Sequence, residues 1–433
     1  MGDQVKDDVR VRMYEVGFGD CFLLEFPRKD WATPFRVLVD CGAHSSGYPR
    51  PGWKPEQVVD QIISDVKTQA GTSHVDVVVA THRHQDHVVG FRAKAWSQVS
   101  VDEVWLPWTE NPKDPLARAI LNRQSRLAFG LNAAFLSPDF GARWTDPDRR
   151  AALRDLVKNS LTNASAMRTL HTGFLGKPKR KFLSTADPDT ITPEACPGLT
   201  VHVIGPSKKE DVIRDMDPPA GQSYLRFFDR RMPMDAEAIG DESFEPENQI
   251  AQSQRPFPPN FTLPASKYES DSTSLVLDAK TKEAAASFMR EDDLAVAVSL
   301  DKAVNGTSLM LMFEFGDAFL LFPGDAQWGT WRAAMDDPEH RELLARTTFL
   351  KVGHHGSHNA TPKEFVEEVL GGKLWCAATS VRSINFWPEI PKSDLLTGLG
   401  KRSERVIRSD KPGRSKKGVS VRPKVSVDFT VPH

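Results

Sequence analysis

The sequence predicts a mixed α/β fold built in two halves and separated by a long insertion. Three observations carry that expectation. Short apolar runs rich in β-branched residues, such as Val75-Asp76-Val77-Val78-Val79 and Val101-Asp102-Glu103-Val104-Trp105-Leu106, have the length and composition of buried strands. Between strand-like segments stands a helix-spaced apolar pattern, Val58, Val59, Ile62, Ile63 and Val66, as in an α/β unit. A dense polar cluster, Thr81-His82-Arg83-His84-Gln85-Asp86-His87, begins where one of the strands ends.

In order along the chain, residues 10–26 read as two strands joined by a Gly-containing turn, and 36–42 as a third that ends in Asp40-Cys41-Gly42. A helix runs from Pro55 to Thr68. The strand before the polar cluster follows, and Val101–Pro107 closes a first half spanning 9–107. Residues 108–293 then read as a helical and loop-rich insertion. Asp114 to Phe135 is one helix, with Pro115 suited to its first turn, and Asp146 to Leu170 is another. Residues 198–206 return briefly to strand. Residues 214–270 are rich in Pro, Asp, Glu, Gln and Ser and form a long loop. Its basic-aromatic cluster, Tyr224 to Arg231, reads either as a packing anchor for that loop or as a stacking surface for nucleic acid. The second half, 294–433, opens with a strand pair, 305–315 and 318–326, turning at Gly316-Asp317. Further strands at 347–352 and 374–381 and a short helix about Leu395 lead to a basic stretch from Lys401 to Lys424. That stretch reads as a solvated edge or as a track for phosphates.

Composition limits the classes open to the chain. With 39% hydrophobic and 26% charged residues it has the balance of a soluble globular protein. A formal net charge of -2 gives no global field toward nucleic acid or an anionic membrane. No apolar run has the length to cross a bilayer, and the charged start, Met1 to Asp8, lacks the apolar core of a secretory signal. The expectation is a cytoplasmic protein with no membrane partner. Cys21, Cys41, Cys196 and Cys376 show no CxxC spacing and read as reduced, buried thiols.

The polar cluster holds four potential metal ligands within six residues. His82 and His84 are two apart and point the same way in an extended segment, whereas adjacent Asp86 and His87 diverge. One short loop can therefore serve two neighbouring ions. Imidazole with carboxylate suits zinc, manganese or iron better than calcium or magnesium. The plainer reading is a surface loop that happens to contain three histidines.

A His-x-His-x-Asp-His run after a buried strand resembles the signature of the metallo-β-lactamase superfamily. Other segments resemble more narrowly the hydrolase domain of ComEC-type competence proteins, here as a free-standing version: the Gly17-Phe18-Gly19-Asp20 turn, the Asp40-Cys41-Gly42 strand end, Asn305-x-x-Ser308-Leu309, Gly324-Asp325, and Leu350-Lys351-x-x-His354-His355-Gly356-Ser357. The resemblance implies a four-layer αββα sandwich with a helical and loop insertion. It implies two divalent ions, zinc or manganese, on His82, His84, Asp86, His87, Asp325 and His355, with Asp325 bridging. It gives Asp86, His354 and His355 catalytic roles, His354 being the alternate ligand or a proton donor and His358 a weaker candidate. Asp40, on sequence alone also an ordinary turn aspartate, would orient a histidine. Many superfamily members supply a third histidine to the first ion. His202 and His171 are the candidates here, in no recognisable motif, and Trp387 stands before Pro388 where the subgroup often has histidine.

The implied activity is a two-metal phosphodiesterase or nuclease on DNA or RNA, since paired ions lower the pKa of water and neutralise phosphoryl charge. The alternatives are a metallohydrolase of a small molecule (a cyclic nucleotide, phosphoester or lactone) and a partner-activated effector subunit of a bacterial defence complex. The partners expected are a nucleic acid substrate and other proteins of such a complex.

Overall fold

The structure, a computed structural model, describes residues 8–28, 33–68, 71–135, 157, 159, 163–186, 189–215, 217–219, 222–223, 302–357, 360–384 and 389–433. The chain divides into two compact units, one of residues 1–121, 162–227 and 302–433, the other of 122–161 and 228–301. Every strand among the described residues belongs to the first unit, which is an α/β structure with two mixed sheets.

The first sheet contains β1 (Val9–Tyr14), β2 (Cys21–Phe26), β3 (Phe35–Cys41), β4 (Ser73–Val79), β5 (Val99–Pro107) and β6 (Lys179–Leu183), with β14 (Val419–Arg422) and β15 (Ser426–Val431) added at the β1 edge. The second contains β7 (Thr190–Ile191), β8 (Leu199–Gly205), β9 (Met310–Phe315), β10 (Ala318–Phe322), β11 (Phe349–Lys351), β12 (Cys376–Thr379) and β13 (Val406–Arg408), in the order β13-β12-β11-β10-β9-β8-β7. Each sheet is antiparallel on one side and parallel on the other: β3 to β6 run parallel in the first, β10 to β13 in the second.

Strand chemistry follows this layout. β1 alternates buried Val9, Val11 and Met13 with outward Arg10 and Arg12, as a half-solvated antiparallel strand should. β4 is buried almost throughout, and ends in the apolar run Val77-Val78-Val79, because both of its faces are covered. The inner faces of the two sheets share one core, with Phe22 against Phe322 at 5.5 Å between ring centroids and Phe349 against Phe429 at 5.3 Å. A second core lies between the first sheet and α1 (Pro55–Asp65), two 3₁₀ turns (Val89–Arg92, Lys94–Gln98) and α4 (Ala164–Thr172). A third lies between the second sheet and α6 (Trp328–Asp336), α7 (Pro338–Ala345) and α8 (Ser393–Arg402). The remaining helices are α2 (Gln85–Val88), α3 (Pro115–Phe135) and α5 (Glu210–Arg214).

Two boundaries differ from the sequence reading. The stretch 108–293 is more than helix and loop, because residues 179–205 lend β6 to the first sheet and β7 and β8 to the second. The last residues of the second half return to the first sheet, where β15 pairs with β1 from Val9↔Val431 to Tyr14↔Ser426. The Tyr224 to Arg231 cluster, most of the long loop and the first part of the helix expected from Asp146 lie outside the described residues.

This topology gathers the candidate site. Asp40 ends β3, the histidine loop follows β4, Asp325 follows β10, and His354 and His355 follow β11. All of these positions are at or just beyond the carboxyl ends of parallel strands, where open α/β sheets place their ligands.

Candidate metal centre

The loop after β4 is held from below by Asp40. Its Oδ1 accepts from the Thr81 backbone N–H at 2.7 Å, its Oδ2 from Thr81 Oγ1 at 2.7 Å, and Oδ2 also lies 2.8 Å from His87 Nδ1. The carboxylate therefore accepts a hydrogen bond from His87 Nδ1–H and leaves Nε2 to face the site. Asp40 has φ 57°, and His354 at 43° and His355 at 53° share the region, so three of the four non-glycine residues of positive φ among those described stand here. Such conformations persist only where surrounding contacts enforce them. Gly42 answers a related need. A Cβ there would sit 2.2 Å from the Asp86 carbonyl carbon and the His87 nitrogen, so only glycine lets β3 pass under the loop.

From this support the side chains converge. His355 Nδ1 donates to the Ser380 carbonyl at 2.8 Å, turning Nε2 to Asp86 Oδ2 at 3.1 Å. His87 Nε2 is 3.2 Å from Asp325 Oδ2 and 3.9 Å from Asp86 Oδ2. Asp86, His87, Asp325 and His355 each offer one donor atom within 4.8 Å of the others, and all four are buried. Beside them His82 Nε2 is 3.1 Å from His84 Nδ1 and 4.0 Å from Asp325 Oδ2. Asp325 Oδ2 thus stands between two donor sets. Its other oxygen accepts from the His354 backbone N–H at 3.2 Å and lies 3.7 Å from Lys351 Nζ.

These separations fit a metal. Donors on one ion with bonds of roughly 2.0–2.1 Å sit about 3.3 Å apart in tetrahedral geometry. Asp86 Oδ1 is buried and has no hydrogen-bond partner among the described residues, an orphan that a cation would satisfy. Four buried carboxylates, Asp20, Asp40, Asp86 and Asp325, face one buried ammonium, Lys351, and this excess of negative charge calls for cations.

The electrostatics point the same way. Burial pushes the His82 imidazole well down, with His87 adding to the effect, and burial pushes His84 down to about 4, so both are neutral ligands in waiting. Burial would also lower His87, but Asp325, Asp86 and Asp40 outweigh it and raise that ring well above its ordinary range. Against the cost of burial, His87 holds the Asp86 and Asp325 carboxyls well below theirs, helped by His355 at Asp86 and by His354 at Asp325.

Of the residues expected at the site, His82, His84, Asp86, His87, Asp325 and His355 come together. His354 sits at the rim, partly exposed, with Nε2 3.8 Å from Asp325 Oδ2 and Nδ1 2.9 Å from Ser357 Oγ. The two third-ligand candidates are elsewhere engaged. His202 is on β8 and binds Glu314 at 2.7 Å, while His171 on α4 lies against Phe182 at 6.2 Å. His358 and Trp387 lie outside the described residues.

Two participants have no role that the sequence alone assigns. Asp20 pairs with Lys351 and reaches His87 Nδ1 and His355 Nδ1, both at 3.7 Å. Lys351, on β11, also donates to the Gly324 carbonyl at 3.3 Å. A lone charge in the apolar run Phe349-Leu350-Lys351-Val352 is the signal that could have found the pair.

No family model matches this chain, and no curated protein does. The functional reading therefore rests on the residues and their geometry.

Proposed function

We propose that this protein is a hydrolase of the metallo-β-lactamase type that uses two divalent ions, zinc or manganese, to cleave phosphodiesters, with nucleic acid as substrate. The observation that carries the reading is the meeting of the β4 loop, Asp325 and His355 in one buried donor set at coordinating separations. Helices packed outside two face-to-face sheets support the four-layer sandwich that the motif implies.

His82, His84 and Asp325 would hold a first ion, and Asp86, His87, Asp325 and His355 a second. Ions so held lower the pKa of water and offset charge developing on phosphoryl oxygens. The protein's own groups do the rest. Asp40 and the Ser380 carbonyl hold the Nδ1 side of His87 and His355, so each ring turns its Nε2 to the donor set, where an ion would take the place of the proton. Lys351 and the His354 N–H occupy Asp325 Oδ1, which keeps Oδ2 turned to both donor sets. His354, anchored at Nδ1 by Ser357, is placed to hand a proton from Nε2 to a leaving oxygen at the rim.

The support for a polymeric substrate lies in the basic C-terminal stretch and is narrower than the sequence suggested. Arg405 stacks on Trp375 and Arg408 is bidentate to Asp410, so both are committed internally. Lys411, Arg414, Lys416 and Lys417 are exposed and suit phosphate contacts.

The test is cleavage of single- and double-stranded DNA and RNA with manganese or zinc. Metal-dependent cleavage that disappears in Asp325→Ala is expected. No cleavage by the wild type, or equal cleavage by the variant, removes the proposal.

A further inference from the structure

We propose that a single strand of nucleic acid runs from the metal centre into a groove between the end of β13 and the β14–β15 turn, where Arg382 and Lys424 hold its phosphates. The inference rests on the phosphodiesterase reading above and names where the substrate lies.

The groove consists of two adjoining cavities of about 280 and 340 Å³ that share Glu15, Ser409 and Asp410. Strand register puts it on the same edge of both sheets as the candidate metal ligands. In the first sheet Tyr14 of β1 lies opposite Ser426 of β15, and Cys21 of β2 opposite Cys41 of β3. The β14–β15 turn, the end of β1 and the strand end at Asp40 therefore emerge together. In the second sheet Lys351 pairs with Ala378, and Thr379 with Arg408, so Ser409 follows β13 as His354 and His355 follow β11. Two strand spacings separate β13 from β11 and β1 from β3, an offset of roughly 10 Å. That is about three stacked nucleotides at ~3.4 Å each. The wall between groove and centre is thin. Gly17 and Val381 line the groove, and their neighbours Phe18 and Ser380 meet His355, the Phe18 ring at 4.2 Å between centroids and the Ser380 carbonyl at 2.8 Å.

Charge identifies the occupant. Two carboxylates line the groove, and both are already matched: Glu15 lies 4.0 Å from Arg50, and Asp410 takes a bidentate pair of bonds from Arg408. Arg382 and Lys424 line it as well, and among the described residues neither side chain has a hydrogen bond or a close ion pair. Both face Glu15 at longer range, which leaves one carboxylate among three cations. Such a surplus in a concave surface draws an anion. A phosphodiester strand supplies one at each nucleotide. Each cavity has the volume of a small-ligand site, room for a nucleotide and not for paired strands. None of the described lining residues is aromatic, so bases find no stacking platform and the contacts fall on the backbone.

The backbone at Lys424 is an independent observation. Val425 N–H donates to the Arg422 carbonyl at 3.0 Å and closes a four-residue turn with Pro423 second and Lys424 third. Lys424 has φ 63°, a conformation that turns give at this position to glycine or asparagine. It is the fourth non-glycine residue of positive φ among those described, and the other three stand at the metal centre. The turn is pinned from β1 by Glu15 N–H to the Val425 carbonyl at 2.9 Å. A lysine held where glycine fits more easily is accounted for by the ammonium that it carries into the groove.

The experiment measures binding of labelled, hydrolysis-resistant phosphorothioate strands, oligo-dT and oligo-rU, to the full chain with manganese, by fluorescence anisotropy over a salt series. The proteins compared are wild type, Arg382→Gln, Lys424→Gln, Lys424→Gly and, as a control, Lys373→Gln. Lys373 is exposed and precedes β12, at the opposite edge of its sheet. Each groove variant should bind more weakly at low salt and lower the slope of log affinity against log salt by about 0.7. Lys424→Gly keeps the turn and should match Lys424→Gln, while the control binds like wild type. Loss in either series supports the groove, and the tighter series identifies DNA or RNA as its strand. Groove variants with wild-type affinity and slope, a control as impaired as they are, Lys424→Gly binding like wild type, or tighter binding of paired duplex each overturn the proposal. Cleavage by a wild type whose strand binding ignores the groove ends this proposal alone. Binding through the groove without cleavage under manganese or zinc ends the phosphodiesterase reading instead.

Discussion

At the scale of single residues, the site depends on positions that never touch a metal. Gly42 is the sharpest case. Gly42→Ala puts a methyl group against the backbone of Asp86 and His87, and the loop has to move to admit it. We expect a loss of about 1–3 kcal/mol in stability from overpacking and a loss of metal binding beyond it, measured by denaturant unfolding and chelator competition. His74, on the opposite end of β4, gives a pH signature. It hydrogen-bonds Asp102 and Asp76, which raise its pKa to about 9. The folded value exceeds the unfolded value of about 6.5. The stabilisation is thus complete below about 6.5 and disappears as pH rises through about 9. The thermal midpoint of wild type should exceed that of His74→Gln at pH 6, and the gap should close by pH 10. The candidate ligands of the β4 loop were legible in the sequence because His82 to His87 are local and follow a readable strand. The pairing of Asp20 with Lys351 was not, since it joins positions more than 300 residues apart and the motifs that contain them give neither residue a partner.

At the scale of elements, the sheets are joined by large rings. Phe322 is buried against Phe22, Phe313 and Phe349, and so ties β10 to both sheets immediately before Asp325. Phe322→Ala should cost about 3–5 kcal/mol, read from the shift of a urea midpoint at unchanged slope. Most strands could be read in advance because their β-branched runs are short and bounded by turns. β14 and β15 could not, because the lysines and arginines around them mask the apolar pattern. The signal was present in the alternation of Val427, Phe429 and Val431, all three facing the shared core. His202 misled for the converse reason. It sits on a true strand, β8, but which way a strand residue points depends on register with β9, and that register sends it to Glu314.

For the molecule as a whole, the two-ion reading ties stability to cations through the buried carboxylates Asp20, Asp40, Asp86 and Asp325. Adding manganese or zinc at 100 times the dissociation constant should stabilise the fold by about 2.7 kcal/mol per site, with no gain in Asp325→Ala, as differential scanning calorimetry would report. The four thiols are all buried, with Cys196 pushed up to about 11 and Cys376 to about 12 by desolvation. They should resist alkylation until the chain unfolds. Replacing Lys411, Arg414, Lys416 and Lys417 by Gln should weaken nucleic acid binding and flatten its salt dependence, by roughly 0.7–0.9 for each phosphate no longer neutralised, in a filter-binding titration.

The pairing of β15 with β1 sets an order of events during synthesis. Val431, the partner of Val9, is made more than 400 residues after it. Until Ser426–Val431 has emerged, one edge of the first sheet lacks its neighbour, and contacts of such sequence separation form slowly. A nascent chain therefore holds its histidine loop long before β15 is available to close that edge of the sheet. Ribosome-bound chains stalled before Ser426 should accordingly show no tight manganese uptake, whereas released full-length chains should.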